Sequence, residues 1–271
     1  MFFAIFVFIG CNIITEPAPP ERANPIDPAN PNFQQPRAEI VSGPGDNSTV
    51  TTHTVTFQWR GNQADSLMLF SFKLDNQNWS NWSQNKTVTY EYLDEGSHTF
   101  YVKAKYINNI EQQTPTTVKF NVDAVKGPSL MFVPRKSVVE KGSIFEVKIF
   151  AEEAANFAGA KIVISYDFNL FDLDNVEIYK DTTSILLKNG GTLIDFVETR
   201  ADRVIINVAV AGGNPSNVNG TGAIGNLRFK VKSSAPTQIT NLVFTNETVM
   251  RDSDNNTVQI KELVPGIVEI K

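Results

Sequence analysis

The chain has 271 residues and a formal net charge of −5, from 24 basic and 29 acidic side chains. That length is about twice a typical domain, so two domains are expected, and 41% apolar residues suffice for two cores. The mild acidity argues against nucleic-acid binding, which needs a basic patch to replace phosphate counterions; one cysteine and two histidines nearly exclude a thiolate or imidazole zinc site.

Residues Met1 to Gly10 form an unbroken apolar run that ends Phe8-Ile9-Gly10-Cys11. The run is too short to span a bilayer, which takes roughly twenty residues, and has the length of a signal-peptide core. Two bulky residues, a small residue and the sole cysteine resemble the bacterial lipobox. The resemblance implies cleavage before Cys11 and acylation of that residue, each buried methylene adding about 0.8 kcal/mol of membrane affinity. No Lys or Arg precedes the run, which departs from the pattern. The alternative is a buried N-terminal strand with an incidental thiol.

Prolines follow at positions 17, 19, 20, 25, 28, 31 and 36. Proline lacks an N–H and fixes φ, so residues 12–36 are expected to form an extended, semi-rigid linker.

From residue 37 to 124 short alternating segments replace the prolines: TVTFQWRG, LMLFSFKLDNQ, KTVTYEYLDEG, SHTFYVKAKY and TTVKFNVDA. They predict a small antiparallel sandwich. In one of them His98, Phe100, Val102 and Ala104 share a face. Trp59 and the run Tyr90-x-Tyr92-Leu93-x-x-Gly96-x-His98-x-Phe100-x-Val102-x-Ala104 resemble fibronectin type III and related immunoglobulin-like modules. Trp79 and Trp82, in NWSNWS, are candidates for a platform on which sugar rings stack. The competing reading is two indoles packed over a sandwich edge. The same segment spells a tryptophan-serine repeat seen in cytokine receptors, but its place in the chain does not fit theirs.

Residues 128–271 hold a second series: SIFEVKIFAEEA, FAGAKIVISYDFNLFDLDNVEI, TLIDFVET, RVIINVAVAG, AIGNLRFKVKS, TQITNLVFTN and TVQIKELVPGIVEI. About nine strands punctuated by Gly, Asn and Asp predict a jelly-roll sandwich. The run Ala158-Gly159-Ala160-x-Ile162-x-Ile164-x-Tyr166-Asp167, followed by Leu170-Phe171-x-Leu173, resembles the cohesin signature. EKGSIFEVKIFAEEA and GTGAIGNLRFKVKS resemble its earlier and later strands. The resemblance implies a receptor module that binds dockerins, calcium-loaded helical modules of secreted proteins such as polysaccharide-degrading enzymes. Calcium is then expected only in the dockerin partner, and binding uses the outer face of one sheet.

Periodicity supplies candidates for that face. If Ile162, Ile164 and Tyr166 point inward, Lys161, Val163 and Ser165 point out. If Val204, Ile206, Val208 and Val210 point inward, Ile205, Asn207, Ala209 and Ala211 point out. Val163, Ile205 and Ala209 would form an apolar centre rimmed by Lys161, Ser165 and Asn207, either an interface or scattered surface apolar residues. In many cohesins the position matching Lys161 is acidic or polar. Glycosidases use carboxylate pairs, and carboxylates such as Asp167, Asp172, Asp174 and Asp195 are present, but no spacing places two of them across a cleft, and no G-x-S-x-G, H-E-x-x-H or P-loop run occurs. Asp252, Asp254 and Asn256 hint at a calcium loop but lack its glycine and final acid; a hairpin turn fits better.

The expected protein is all-β, with two β-sandwich domains: an immunoglobulin/fibronectin III-like sandwich followed by a nine-stranded cohesin-like jelly roll. It is expected to be non-catalytic and anchored to a bacterial cell envelope through Cys11, facing the surface or periplasm. Its expected partner is a dockerin-like module, with polysaccharide binding as the alternative.

Overall fold

Period-two alternation governs both halves of the chain. The computed structural model describes residues 24–211 and 218–271. Cys11 and the proline-rich stretch through residue 23 lie outside the described residues.

The first half contains β1 (Ala38–Ser42), β2 (Ser48–Val50), β3 (Val55–Gly61), β4 (Met68–Leu74), β5 (Thr87–Tyr90), β6 (Gly96–Tyr106) and β7 (Thr116–Val122). They form a three-stranded sheet ordered β1-β3-β5 and a four-stranded sheet ordered β2-β7-β6-β4. On β3, Val55, Phe57 and Trp59 are buried while Thr56, Gln58 and Arg60 face solvent. Phe57 stacks on Phe100 of β6 with centroids 4.0 Å apart, and Trp59 packs against Phe70, Phe72 and Phe100.

The stretch before β1 is partly a built element rather than an extended linker. Asn24-Pro25-Ile26, Asp27-Pro28-Ala29 and Asn30-Pro31-Asn32 repeat one three-residue unit. Each Asn or Asp side chain accepts the N–H two residues on, at 3.2, 2.9 and 2.8 Å, while each carbonyl accepts the N–H three residues on. Asx acceptors and prolines preset for turns make a chain of tight turns. It seats Ile26 in the first core and Phe33 against Tyr106.

The second half contains β8 (Ser129–Val133), β9 (Lys136–Val139), β10 (Ile144–Phe157), β11 (Gly159–Ser165), β12 (Phe171–Ile178), β13 (Thr192–Thr199), β14 (Arg203–Ala211), β15 (Val218–Val231), β16 (Gln238–Phe244), β17 (Val249–Arg251), β18 (Thr257–Val258), β19 (Glu262–Leu263) and β20 (Gly266–Ile270). One sheet runs β12-β15-β10-β8-β19; the other runs β13-β14-β11-β16-β20-β9, with β17 and β18 attached at β11. The strands beyond the nine expected include β17, β18 and β19, each too short to show alternation. Ile162, Ile164, Tyr166, Val204, Ile206 and Val208 all enter the core between the sheets. Phe229 lies at its centre, in ring contact with Phe145, Tyr166 and Phe171. The fold is thus all-β, built as two successive sandwiches.

Between the halves, the connecting residue Val125 packs with Met131 and Val264 of the second half in a small apolar cluster. Around it, acidic side chains of the first half hold backbone donors. Glu95 accepts the N–H groups of Ala124 (2.9 Å) and Val125 (3.1 Å), and Asp94 accepts that of Arg135 (2.6 Å). The buried Arg135 guanidinium lies against the His53 ring. The second histidine, His98, is bonded to Asp75 at 2.7 Å and to the carbonyl of Asp94 at 2.9 Å. Its bond to the Asp75 carboxylate holds the imidazole above its ordinary pKa, whereas burial and then Arg135 hold His53 below.

Two measurements check this description. Ile26→Ala should cost about 2–5 kcal/mol in urea unfolding; since Trp59, Trp79 and Trp82 are the only tryptophans, tryptophan fluorescence reports the first sandwich alone. The raised pKa of His98 gives stability that is complete below the ordinary imidazole pKa of about 6.5 and is lost as pH rises through the higher folded value. His53 acts in the opposite sense, so the quantity to follow is the difference from Asp75→Asn. The stability advantage of wild type over that variant should shrink as pH rises from about 6 to about 9.

Candidate functional site

On β13 the alternation exposes two large apolar side chains. Leu193 is buried and Val197 packs on the core, while Ile194 and Phe196 are 60% and 64% exposed. Register carries this face across the sheet. Ile194 pairs with Ala209, which pairs with Gly159, which pairs with Arg251. One row along, Phe196, Asn207, Lys161 and Val249 line up in the same way. The rows enclose a shallow depression of about 530 Å³ whose floor includes Gly159, Ala160 and Ala209. At Gly159 a Cβ would stand 2.8 Å from the carbonyl oxygen of Val208, so only glycine allows β11 and β14 to approach there.

The far wall is the turn joining β17 to β18. Asp252 accepts the N–H groups of Asp254 (3.0 Å) and Asn256 (2.7 Å), and Asn255 takes a left-handed φ of 64°. The DSDNNT segment is therefore a hairpin turn closed by its own aspartate. Arg251 is held by the carbonyl of Asn255 and the hydroxyl of Thr257. On the rim, Lys161 pairs with Glu247 at 3.0 Å and Arg203 reaches the same carboxylate at 3.5 Å. The hydrogen bond from Lys161 holds Glu247 below the ordinary carboxylate pKa.

The expected residues divide. Lys161, Asn207 and Ala209 line the depression. Ser165 lies further along β11, opposite Arg203 and Val243, outside it. Val163 and Ile205 do not form an exposed apolar centre: Val163 is 0% exposed and Ile205 is also buried. The chain crossing from β16 to β17 lies against Val163. Thr245 donates its N–H to the Val163 carbonyl at 2.8 Å, and the Thr248 hydroxyl bonds both the N–H and the carbonyl of Val163. The apolar centre is instead Ile194 with Phe196, whose signal in the sequence was the strict alternation of TLIDFVET.

Trp79 and Trp82 are half-buried and lie beside lysine ammonium groups. Their segment runs antiparallel along the outer edge of β4, with Phe70 and Ser83 exchanging both backbone bonds and Ser80 donating its N–H to Phe72. This pairing lays the indoles over the lysines of β4 and β6. Lys73 and Lys103 stand 5.5 and 4.9 Å from the Trp79 centroid, and Lys103 and Lys105 stand 4.9 and 4.8 Å from that of Trp82. Each indole thus makes cation–π contacts that a sugar stacked on the same face would have to displace. The segment covers a sheet edge, as the packing reading expected.

Among solved structures, the chain is similar to the cohesin CaCohA2 of Clostridium acetobutylicum (16% identity, TM-score 0.44, covering 53% of this chain and 90% of that one). It is also similar to a chain of a type I cohesin–dockerin complex of Clostridium thermocellum (17%, 0.44, 53% and 98%) and to a non-cellulosomal cohesin of the archaeon Archaeoglobus fulgidus (17%, 0.41, 53% and 90%). Comparison with curated proteins gives no match. The model of the cohesin domain matches residues 131–270, from β8 to the end of β20, and the chain belongs to the cohesin family.

Proposed function

We propose that the protein recruits a dockerin-bearing secreted protein, such as a polysaccharide-degrading enzyme, to a bacterial cell envelope. Binding is non-covalent and uses the β13-β14-β11-β17 face. The observation that carries this reading is the exposure of Ile194 and Phe196 beside a small-residue floor and a rim of Lys161, Asn207 and Arg251. An apolar centre with a polar border is the anatomy of a protein–protein interface, and large aromatic side chains near such a centre supply most of the binding energy. In this reading any calcium belongs to the partner, and the chain itself carries out no catalysis. Cys11 serves as the lipid anchor, and the first sandwich, a fibronectin III-like module, separates the anchor from the docking face.

The test is titration calorimetry with a dockerin module encoded in the same genome. Phe196→Asp should weaken binding by at least about 30-fold, the equivalent of 2 kcal/mol at an interface centre. It should leave urea stability within about 0.5 kcal/mol, as for other exposed positions. Ile239→Asp, equally exposed at 63% but outside the depression, should bind as wild type. Unchanged binding by Phe196→Asp would remove this face from the mechanism. Mass spectrometry of membrane-extracted protein should find Cys11 acylated at the mature N-terminus; a free thiol there would remove the anchor.

A further inference from the structure

A strand at the end of a sheet carries unpaired N–H and C=O groups that another strand can take up. Folded proteins shield such edges with short strands, bulges, charges, proline or a covering segment. Most sheet edges among the described residues follow that rule. β2, β5, β9, β18 and β19 have only two to four residues. β1 bulges between Ile40 and Ser42; β12 bulges between Leu173 and Asn175 and carries Asp172, Asp174 and Glu177. The edge of β4 is covered by the segment that pairs Ser83 with Phe70.

β13 is the exception. Its eight residues pair with β14 without a break in register and include no lysine, no arginine and no proline. An inward-pointing charge also guards an edge, but that of Asp195 is already matched by Lys180 at 2.7 Å. Among the described residues, no other segment bonds the backbone of β13 on the side away from β14. Docking on the outer face leaves this edge unpaired, because side chains stand out of the sheet while N–H and C=O groups lie along it.

The sequence of β13 is complementary to itself. Side chains alternate, so two antiparallel copies set inward residues opposite inward ones only if the two-fold axis passes through a residue. With the axis at Asp195, Ile194 of each copy meets Phe196 of the other on the outer face. On the core side Leu193 meets Val197, and further out Thr192 meets Glu198. An axis at Phe196 would set Ile194 against Glu198 and Asp195 against Val197; an axis at Ile194 would set Asp195 against Leu193. Among these, the Asp195 axis alone pairs apolar residues with apolar residues on both faces. It brings two carboxylates together, each with its own Lys180 ammonium, so the local charge sums to zero.

We infer that two copies of this chain join β13 to β13, antiparallel about Asp195, into one continuous sheet. Closed two-fold pairs are the commonest form of self-association. The sheet faces keep their sides, so the two depressions open next to each other on one surface. The inference uses the edge of β13 and stands whether or not its outer face binds a dockerin.

The test is sedimentation velocity of the full chain over a concentration series, in non-ionic detergent that masks the apolar run at residues 1–10. Wild type should pass from monomer to dimer as concentration rises. Thr192 is exposed and meets Glu198 twice in the dimer. Thr192→Lys should therefore tighten the dimer by at least about threefold, and Thr192→Glu should weaken it by as much. In a Cys11→Ser background, Asp195→Cys should oxidise to a disulfide-linked dimer, since its two copies stand about 5 Å apart across the axis. Thr192→Cys should not, since its copies stand about 20 Å apart. The inference is overturned by a wild type that stays monomeric throughout, by a dimer indifferent to the charge at position 192, or by cross-linking of Thr192→Cys as fast as Asp195→Cys. The Thr192 variants decide the matter even where Asp195→Cys fails to fold.

Discussion

Side-chain parity across β13, β14 and β11 is the constraint on which the proposed face depends. A one-residue slip of β13 would send Ile194 and Phe196 into the core and turn Leu193, Asp195 and Val197 outward. On apolar content alone the slipped register competes well, because the present inward set contains a carboxylate. Asp195 is accommodated by Lys180 at 2.7 Å, and its side chain remains partly exposed at the sheet edge. The slipped register would bring Thr192 and Glu198 inward as well, with Glu198 facing the core without its present Arg200 partner. The strand therefore keeps two large apolar side chains in water although its own pattern offers a way to bury them. Folding gains nothing from that exposure, which is why it points to a partner.

The junction follows a different physics. Its apolar cluster is small, and its order comes from carboxylates of the first sandwich that accept backbone N–H groups of the linker and the second. Such charge-assisted bonds are roughly twice as strong as neutral ones and fix direction as well as distance. Both histidines of the chain sit here with opposite environments: His98 is drawn toward its charged form by Asp75, and His53 is held neutral beside Arg135. The His98 contribution is lost as pH rises above about 6.5 and the His53 contribution as pH falls below it, so the pair favours folding most near that pH.

Inward-facing positions were legible because period two is local. Val55, Phe57 and Trp59, or Ile162, Ile164 and Tyr166, declare their face from within one strand. The outward face was less legible. Val163 has the parity of an exposed residue, yet Thr245 and Thr248, over 80 residues away, close over it. Nothing within β11 records that crossing. The lysine ladder over Trp79 and Trp82 was hidden for the same reason, since it needs the pairing of residues 80–83 with β4. The Asx-Pro turns of residues 24–33 were legible in principle: the three-residue spacing and the Asx before each proline specify them. Proline content alone suggested an extended chain, and the acceptor preceding each proline carried the contrary information.

That turn segment also orients the whole assembly. It packs at the pole of the first sandwich where β6 ends, with Asn108 donating its amide to the carbonyl of Ile26 and the Tyr106 hydroxyl donating to that of Gln34. The chain leaves for the second sandwich at the opposite pole, where β6 begins beside Asp94 and Glu95. β6 has 11 residues, so at about 3.3 Å per residue the two poles stand roughly 36 Å apart. On the proposed reading, an anchor before residue 24 would join the first sandwich at the pole remote from the cohesin unit. Because Ile26 is buried in the first core, residues 24–33 cannot leave that pole without exposing it. In the proposed arrangement, a packed sandwich of fixed length thus contributes to the spacing between an anchor at Cys11 and the docking face.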